Sequence, residues 1–179
     1  IILMLHPDEA KEKGITVVPC AYVKKYIEWI PREKGGGLVN ANHDISILKS
    51  CKKDEETRRL YTPDDTEIVE TAQFFVLVLE PEPQQAVVAF TSTQLGASRK
   101  WLTMLRMARV QTKSGQSVSA PMFANTYTLG TLAQSNDKGS WYGFTVNQVG
   151  AVDVETAHIA KEFMSVARSG DVEVKEEQQ

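Results

Sequence analysis

The first regular pattern along the chain is a run of β-branched and aromatic positions over residues 15–30. It follows Gly14 and closes at Pro31-Arg32-Glu33-Lys34-Gly35-Gly36-Gly37, which reads as a loop. The run predicts a long strand. Pro19 inside it predicts an edge position or a bulge, because proline has no N–H to give to a ladder. In strict alternation Val17, Pro19, Ala21, Val23, Lys25, Ile27 and Trp29 form a mostly apolar core face, and Tyr22, Lys24 and Tyr26 stand in a row on the less apolar face. Residues 40–65 break the pattern with mixed charges and turn formers. They read as a long surface excursion, with a short helix near 45–52 or 54–60. Residues 67–80 carry Phe74-Phe75-Val76-Leu77-Val78-Leu79, apolar on both faces, which predicts a central buried strand. Pro81 and Pro83 end it, and residues 85–93 supply a second strand that pairs with it as a hairpin.

The period then changes. From residue 94 or 96 to 110 the apolar positions Ala97, Trp101, Met104, Leu105 and Ala108 share one side of a helix. Gly115 and its serine neighbours read as a loop, 122–132 as a strand, Asn136-Asp137-Lys138-Gly139 as a turn and 140–149 as another strand. In the last of these Phe144 and Val146, with Tyr142, take the core face, and Trp141 points the other way between Gly139 and Gly143. A final helix fits 153–169, with Asp153 as N-cap and Gly170 at C′. Five or six short strands with a helix in the middle and a helix at the end define a β-rich α+β domain. Among such folds an antiparallel OB-like Greek-key barrel fits best. The expected organisation is one domain over 1–170 and an acidic tail over 171–179.

Charge changes the picture more than composition does. With 179 residues, 42% hydrophobic and 24% charged, the chain is an ordinary one-domain length with enough apolar residues for a core. The net charge of −3 hides a segregation. From Pro83 to Asn136 there is no acidic residue, yet Arg99, Lys100, Arg106, Arg109 and Lys113 fall there. On a helical wheel Arg99, Arg106, Arg109 and Lys113 cluster opposite Trp101 and Leu105, which predicts a basic helix face suited to an anionic ligand. The Tyr22-Lys24-Tyr26 row is the pattern a single-stranded nucleic acid uses, with bases on rings and phosphate on the cation. Arg32, Lys138 and Trp141 join the candidate set, since a tryptophan between glycines offers a flat surface to a base. A solvated basic helix and tyrosines that cover a second packed layer are the plainer structural alternatives.

Other chemistries find no support. His6, His43 and His158 lack ligand spacing with Cys20 or Cys51, so no metal or cofactor is expected. The two cysteines read as free thiols. Gly35-Gly36-Gly37 lacks the Lys-Ser/Thr ending of a phosphate loop, and Ser92 in Thr91-Ser92-Thr93 sits in no nucleophile elbow. Asp54-Glu55-Glu56 and Asp64-Asp65 have no matching constellation. No transmembrane run is present, and residues 1–5 are too short for a secretory leader. A non-enzymatic binding protein is the expectation, with an enzyme whose site is assembled from distant residues the least favoured reading.

Several segments, in order, resemble a family of tailed-bacteriophage proteins. They are Tyr26-Ile27-Glu28-Trp29 with Pro31-Arg32 and Gly35-Gly36-Gly37, then Thr91-Ser92-Thr93-Gln94 with Arg99-Lys100-Trp101-Leu102-Thr103, then Pro121-Met122-Phe123, then Asn136-Asp137-Lys138-Gly139-Ser140-Trp141. The resemblance covers about 17–168 and is similar in size and layout to phage single-stranded-DNA-binding proteins with OB folds. It implies a protein of the infected host's cytoplasm that coats single-stranded DNA in replication or recombination. Phage or host replication proteins would be partners of the acidic tail, and a homo-oligomer is a further expectation. The alternative is a virion or assembly component acting through protein contacts.

Overall fold

The computed structural model describes residues 3–10, 14–137 and 139–169. Its strands are β1 (Leu3–Leu5), β2 (Ile15–Trp29), β3 (Leu38–His43), β4 (Lys52–Lys53), β5 (Leu60–Tyr61), β6 (Glu67–Val78), β7 (Gln84–Thr91), β8 (Arg109–Gln111), β9 (Ser117–Ser119), β10 (Asn125–Asn136) and β11 (Gly139–Ala151). The helices are α1 (Leu95–Met107) and α2 (Val154–Ser169). One sheet runs in the order β1-β7-β6-β2-β10-β11, with β3 added to β2, β5 to β6 and β4 to β5. The expected hairpin is present, Phe74 opposite Val88 and Phe75 opposite Val87. The sheet is mixed rather than antiparallel throughout, because β1 lies parallel to β7. The sequence signal missed this edge, since three residues are too few to show a period.

The sheet curls into a half-barrel with a helix on each face. On one side Trp101 of α1 stacks on Phe74 at 4.3 Å between ring centroids, with Tyr127 at 5.6 Å and Phe90 at 6.2 Å. These side chains and Leu129, Phe144 and Val146 form one core. On the other side Ala160 and Phe163 of α2 cover Val18, Cys20, Ala21, Phe75, Leu77 and Val87. The 3-10 turn Pro7–Ala10, just after β1, packs against β10 and β11, so this segment spans the gap between the two sheet edges. Gly14 then sits so close to β10 that a Cβ there would lie 2.8 Å from Thr128 Cγ2, at a φ of +74°. Only glycine meets both conditions.

The long strand carries a bulge where Pro19 predicts one. Its pairing with β6 slips between Pro19 and Ala21, and the extra residue is Cys20. The slip reverses the parity of every later side chain. Val17 and Pro19 face the α1 side, and beyond the bulge so do Tyr22, Lys24 and Tyr26.

The charged excursion is an arm of short strands rather than a helical insert. The far end of the β2–β6 ribbon is flanked by β3 on one side and β5 on the other. A 3-10 turn at Ile45–Lys49 stands in place of the expected helix, and β5 begins at Leu60 after a turn capped by Asp54. At the other end of the chain Asp153 caps α2 as expected, accepting from Thr156 N at 2.9 Å. Those bonds to Thr156 hold the Asp153 carboxyl below its ordinary range. Gly170 and the acidic tail 171–179 lie outside the described residues.

Candidate nucleic-acid interface

The expected basic helix face is divided between two elements. α1 ends at Met107, because Ala108 turns to an extended conformation. Arg99, Lys100 and Arg106 are exposed on the helix. Arg109 opens β8, and Lys113 occupies the turn to β9. The single wheel of four cations is therefore corrected. The helix pattern fades into a hairpin with no change in composition, so periodicity did not mark the boundary. The hairpin is bound to itself: Arg109 faces Ser119, Val110 faces Val118 and Gln111 faces Ser117. The Arg109 guanidinium donates to the Ser119 hydroxyl. Arg99, Lys100, Arg106 and Lys113 enter no ion pair among the described residues.

The tyrosine row is on one face, as expected, but that face is packed. Tyr22 is half-buried, with its ring 4.9 Å from that of Phe74. Tyr26 lies between Glu70 of β6 and His43 of β3 and is 4% exposed. Lys24 reaches solvent and pairs with Glu70 at 2.8 Å, which raises the ammonium's pKa through that hydrogen bond. The exposure expected of these rings is corrected: the bulge turns them onto the α1 side, where Tyr22 is half-buried and Tyr26 is buried. Trp141 is half-buried, and its indole donates to Gln134 Oε1 at 2.9 Å across the β10–β11 ladder. The surface expected beside it is filled on one side only: a Cβ on Gly143 would run into the Gln94 amide, while one on Gly139 would meet nothing within 4 Å. Arg32 is exposed on the arm, and Lys138 lies outside the described residues.

Strand register separates these groups. β10 leaves β2 at the Leu129–Ile15 pair and runs on to Asn136, away from the arm. Arg32 and Lys24 thus belong to the arm end of the sheet, and Trp141 to the opposite end of the β2 axis. The structure brings together Arg99, Lys100 and Arg106 on α1, with Arg109 and Lys113 on the hairpin that follows it.

A polar network in the arm escaped the sequence reading. Glu28 Oε2 lies 2.6 Å from His43 Nε2, and Glu28 Oε1 accepts from the Thr66 hydroxyl at 2.5 Å. Thr62 and Thr66 share a hydroxyl bond of 2.5 Å. The Thr66 hydroxyl first, then His43, holds the Glu28 carboxyl below its ordinary range. The network ties β2, β3 and the turn into β6 together. Only the β2–β3 register reveals it, and no spacing in the sequence does. Among the described residues no group of three His, Cys, Asp or Glu could hold a metal ion, and no helix is long and apolar enough to cross a membrane.

The comparisons agree with the bacteriophage resemblance at the level of family. Residues 7–173 match the family described as Pam3 phage gp34-like protein, and the chain belongs to that family. No curated protein and no solved structure matches it.

Proposed function

We propose that this phage protein binds single-stranded DNA with little sequence preference, through the outer face of α1 and the β8–β9 hairpin. The observation that carries the reading is the set of exposed cations Arg99, Lys100, Arg106 and Lys113, which have no ion-pair partner among the described residues and lie inside a stretch free of acids. Strand order supports it. Taking β2, β6, β7, β10 and β11 as five successive strands, the spatial order is third, second, first, fourth, fifth, with α1 between the third and fourth. That order, with β1 added in parallel at one edge, supports reading the sheet as an OB-like Greek-key barrel, a fold that carries oligonucleotides. Replication or recombination in the cytoplasm of the infected host is the setting this implies.

With Tyr26 buried and Tyr22 half-buried against Phe74, affinity rests on phosphate neutralisation more than on stacking. The test is fluorescence anisotropy of a labelled oligo-dT at rising salt. Each cation lost should flatten the log–log salt slope by about 0.7 on a single strand. Arg99→Glu with Arg106→Glu should weaken binding at low salt and reduce that slope. Binding that is indifferent to salt and to these substitutions defeats the proposal.

A second reading has its own observation. The outer edge of β3 has no strand partner among the described residues, and Leu38 and Val39 on it are 42% and 48% exposed. An open apolar edge suits strand pairing with another chain, as in an assembly protein. Stable oligomers in light scattering without DNA, dispersed by Val39→Lys, would favour it.

A further inference from the structure

Among the described residues the β8–β9 ribbon pairs with no strand of the main sheet. Of residues 109–119 all but Thr112 are exposed, and the two strands form a sheet of their own, apart from the main one. A free two-stranded ribbon is marginal in water. This one is held by its cross-strand pairs and by its root, where Ala120 N donates to Ala108 O at 3.0 Å. The Thr112–Gln116 turn closes its far end, with Gly115 at a φ of +81°. The ribbon carries Arg109 and Lys113 and no acid. Val110 and Val118, paired across it, are 37% and 39% exposed.

Two strands about 4.8 Å apart, with side chains on both faces, match the major groove of a DNA duplex, about 12 Å wide. The groove supplies phosphates for the cations and thymine methyl groups for the valines. We infer that the ribbon is a duplex-groove contact, so that the preferred ligand is a junction between double- and single-stranded DNA. A plain single strand uses both elements, whereas at a junction the duplex takes β8–β9 and the single strand keeps the cations of α1. This inference rests on the nucleic-acid reading above and adds a substrate geometry to it.

The root makes a clean test possible. Ala108 O and Ala120 N are already bonded, so joining the two residues through Asn-Gly in place of Arg109–Ser119 completes an ordinary β-turn. Anisotropy would be measured with three labelled probes: a single strand, a blunt duplex, and the same duplex with a single-stranded overhang. The intact protein should bind the overhang probe roughly tenfold more tightly than either other probe. Methyl green in the major groove should compete, and netropsin in the minor groove should not. The excised variant should lose the preference and hold the overhang as it holds a plain strand. Lys113→Glu, at an exposed turn, should lower the preference without disturbing the fold. Equal affinity for overhang and single strand in the intact protein overturns the inference, as does a preference that survives excision. Failure of the intact protein to bind any of the three probes instead defeats the nucleic-acid reading itself, and the junction with it.

Discussion

Gln73 supports a prediction whose sign is unusual. It lies in the middle of β6, between Val23 of β2 and Ala89 of β7, on the face that Phe75 and Leu77 turn toward α2. The residue is 0% exposed, and neither Nε2 nor Oε1 has a hydrogen-bond partner among the described residues. A buried amide without partners loses its water and gains nothing in return, a cost of about 1–3 kcal/mol. Methionine has nearly the same length and volume and no such cost, so Gln73→Met should stabilise the protein by about that amount. For a chain of this size each kcal/mol moves the melting temperature by roughly 2–4 °C. The assay is urea denaturation followed by circular dichroism. The midpoint should rise while the slope m stays fixed, because the surface exposed on unfolding is unchanged. Gln73→Glu, which puts a charge in the same place, should lower the midpoint sharply. A lower midpoint for the methionine variant would refute the reasoning, for it would mean that the amide is satisfied in solution.

Three further outcomes follow from the same geometry. Gly143→Ala should cost under about 1 kcal/mol in the same assay, because the new Cβ meets only the flexible end of the Gln94 side chain, which can swing aside; a loss of about 3 kcal/mol or more would show that Gln94 is fixed in place. Glu28 is held below its ordinary pKa by Thr66 and His43, so its contribution to stability is present above the unfolded value and fades as pH falls through the depressed one. Glu28→Gln should therefore flatten the acid limb of the midpoint-against-pH curve, and an unchanged limb would show that the network adds nothing. Burial pushes the Cys20 thiol up to about 12, so a thiol reagent at neutral pH should label half-buried Cys51 first and Cys20 only on unfolding.

The parts of the fold that were legible are those whose signal is local. The run of six apolar residues from Phe74 gave the central strand, and Pro81 and Pro83 placed its hairpin. Asp153 marked the start of α2 because an N-cap is a property of one residue and its next three. The parallel edge strand β1 and the arm were not legible, since each depends on a partner far along the chain. The Glu28–His43 bond is the sharpest case. It spans two strands whose register is set by two bulges, and nothing near either residue announces the other.

The candidate interface turned on one residue for a related reason. Alternation is a rule about consecutive side chains, and it holds only while the ladder is unbroken. The run from Val17 to Trp29 keeps its β character throughout, but Cys20 inserts one residue and exchanges the two faces beyond it. Pro19 signalled that a bulge was near, and a parity carried through that bulge would have turned Tyr22 and Tyr26 inward. The aromatic half of the expected surface disappears with that correction, while the cationic half survives because exposed charges on α1 need no register to be free. What remains is an electrostatic surface with a ribbon at its end. On the proposed reading, such a surface would discriminate among nucleic acids by shape and charge spacing, and only weakly by sequence.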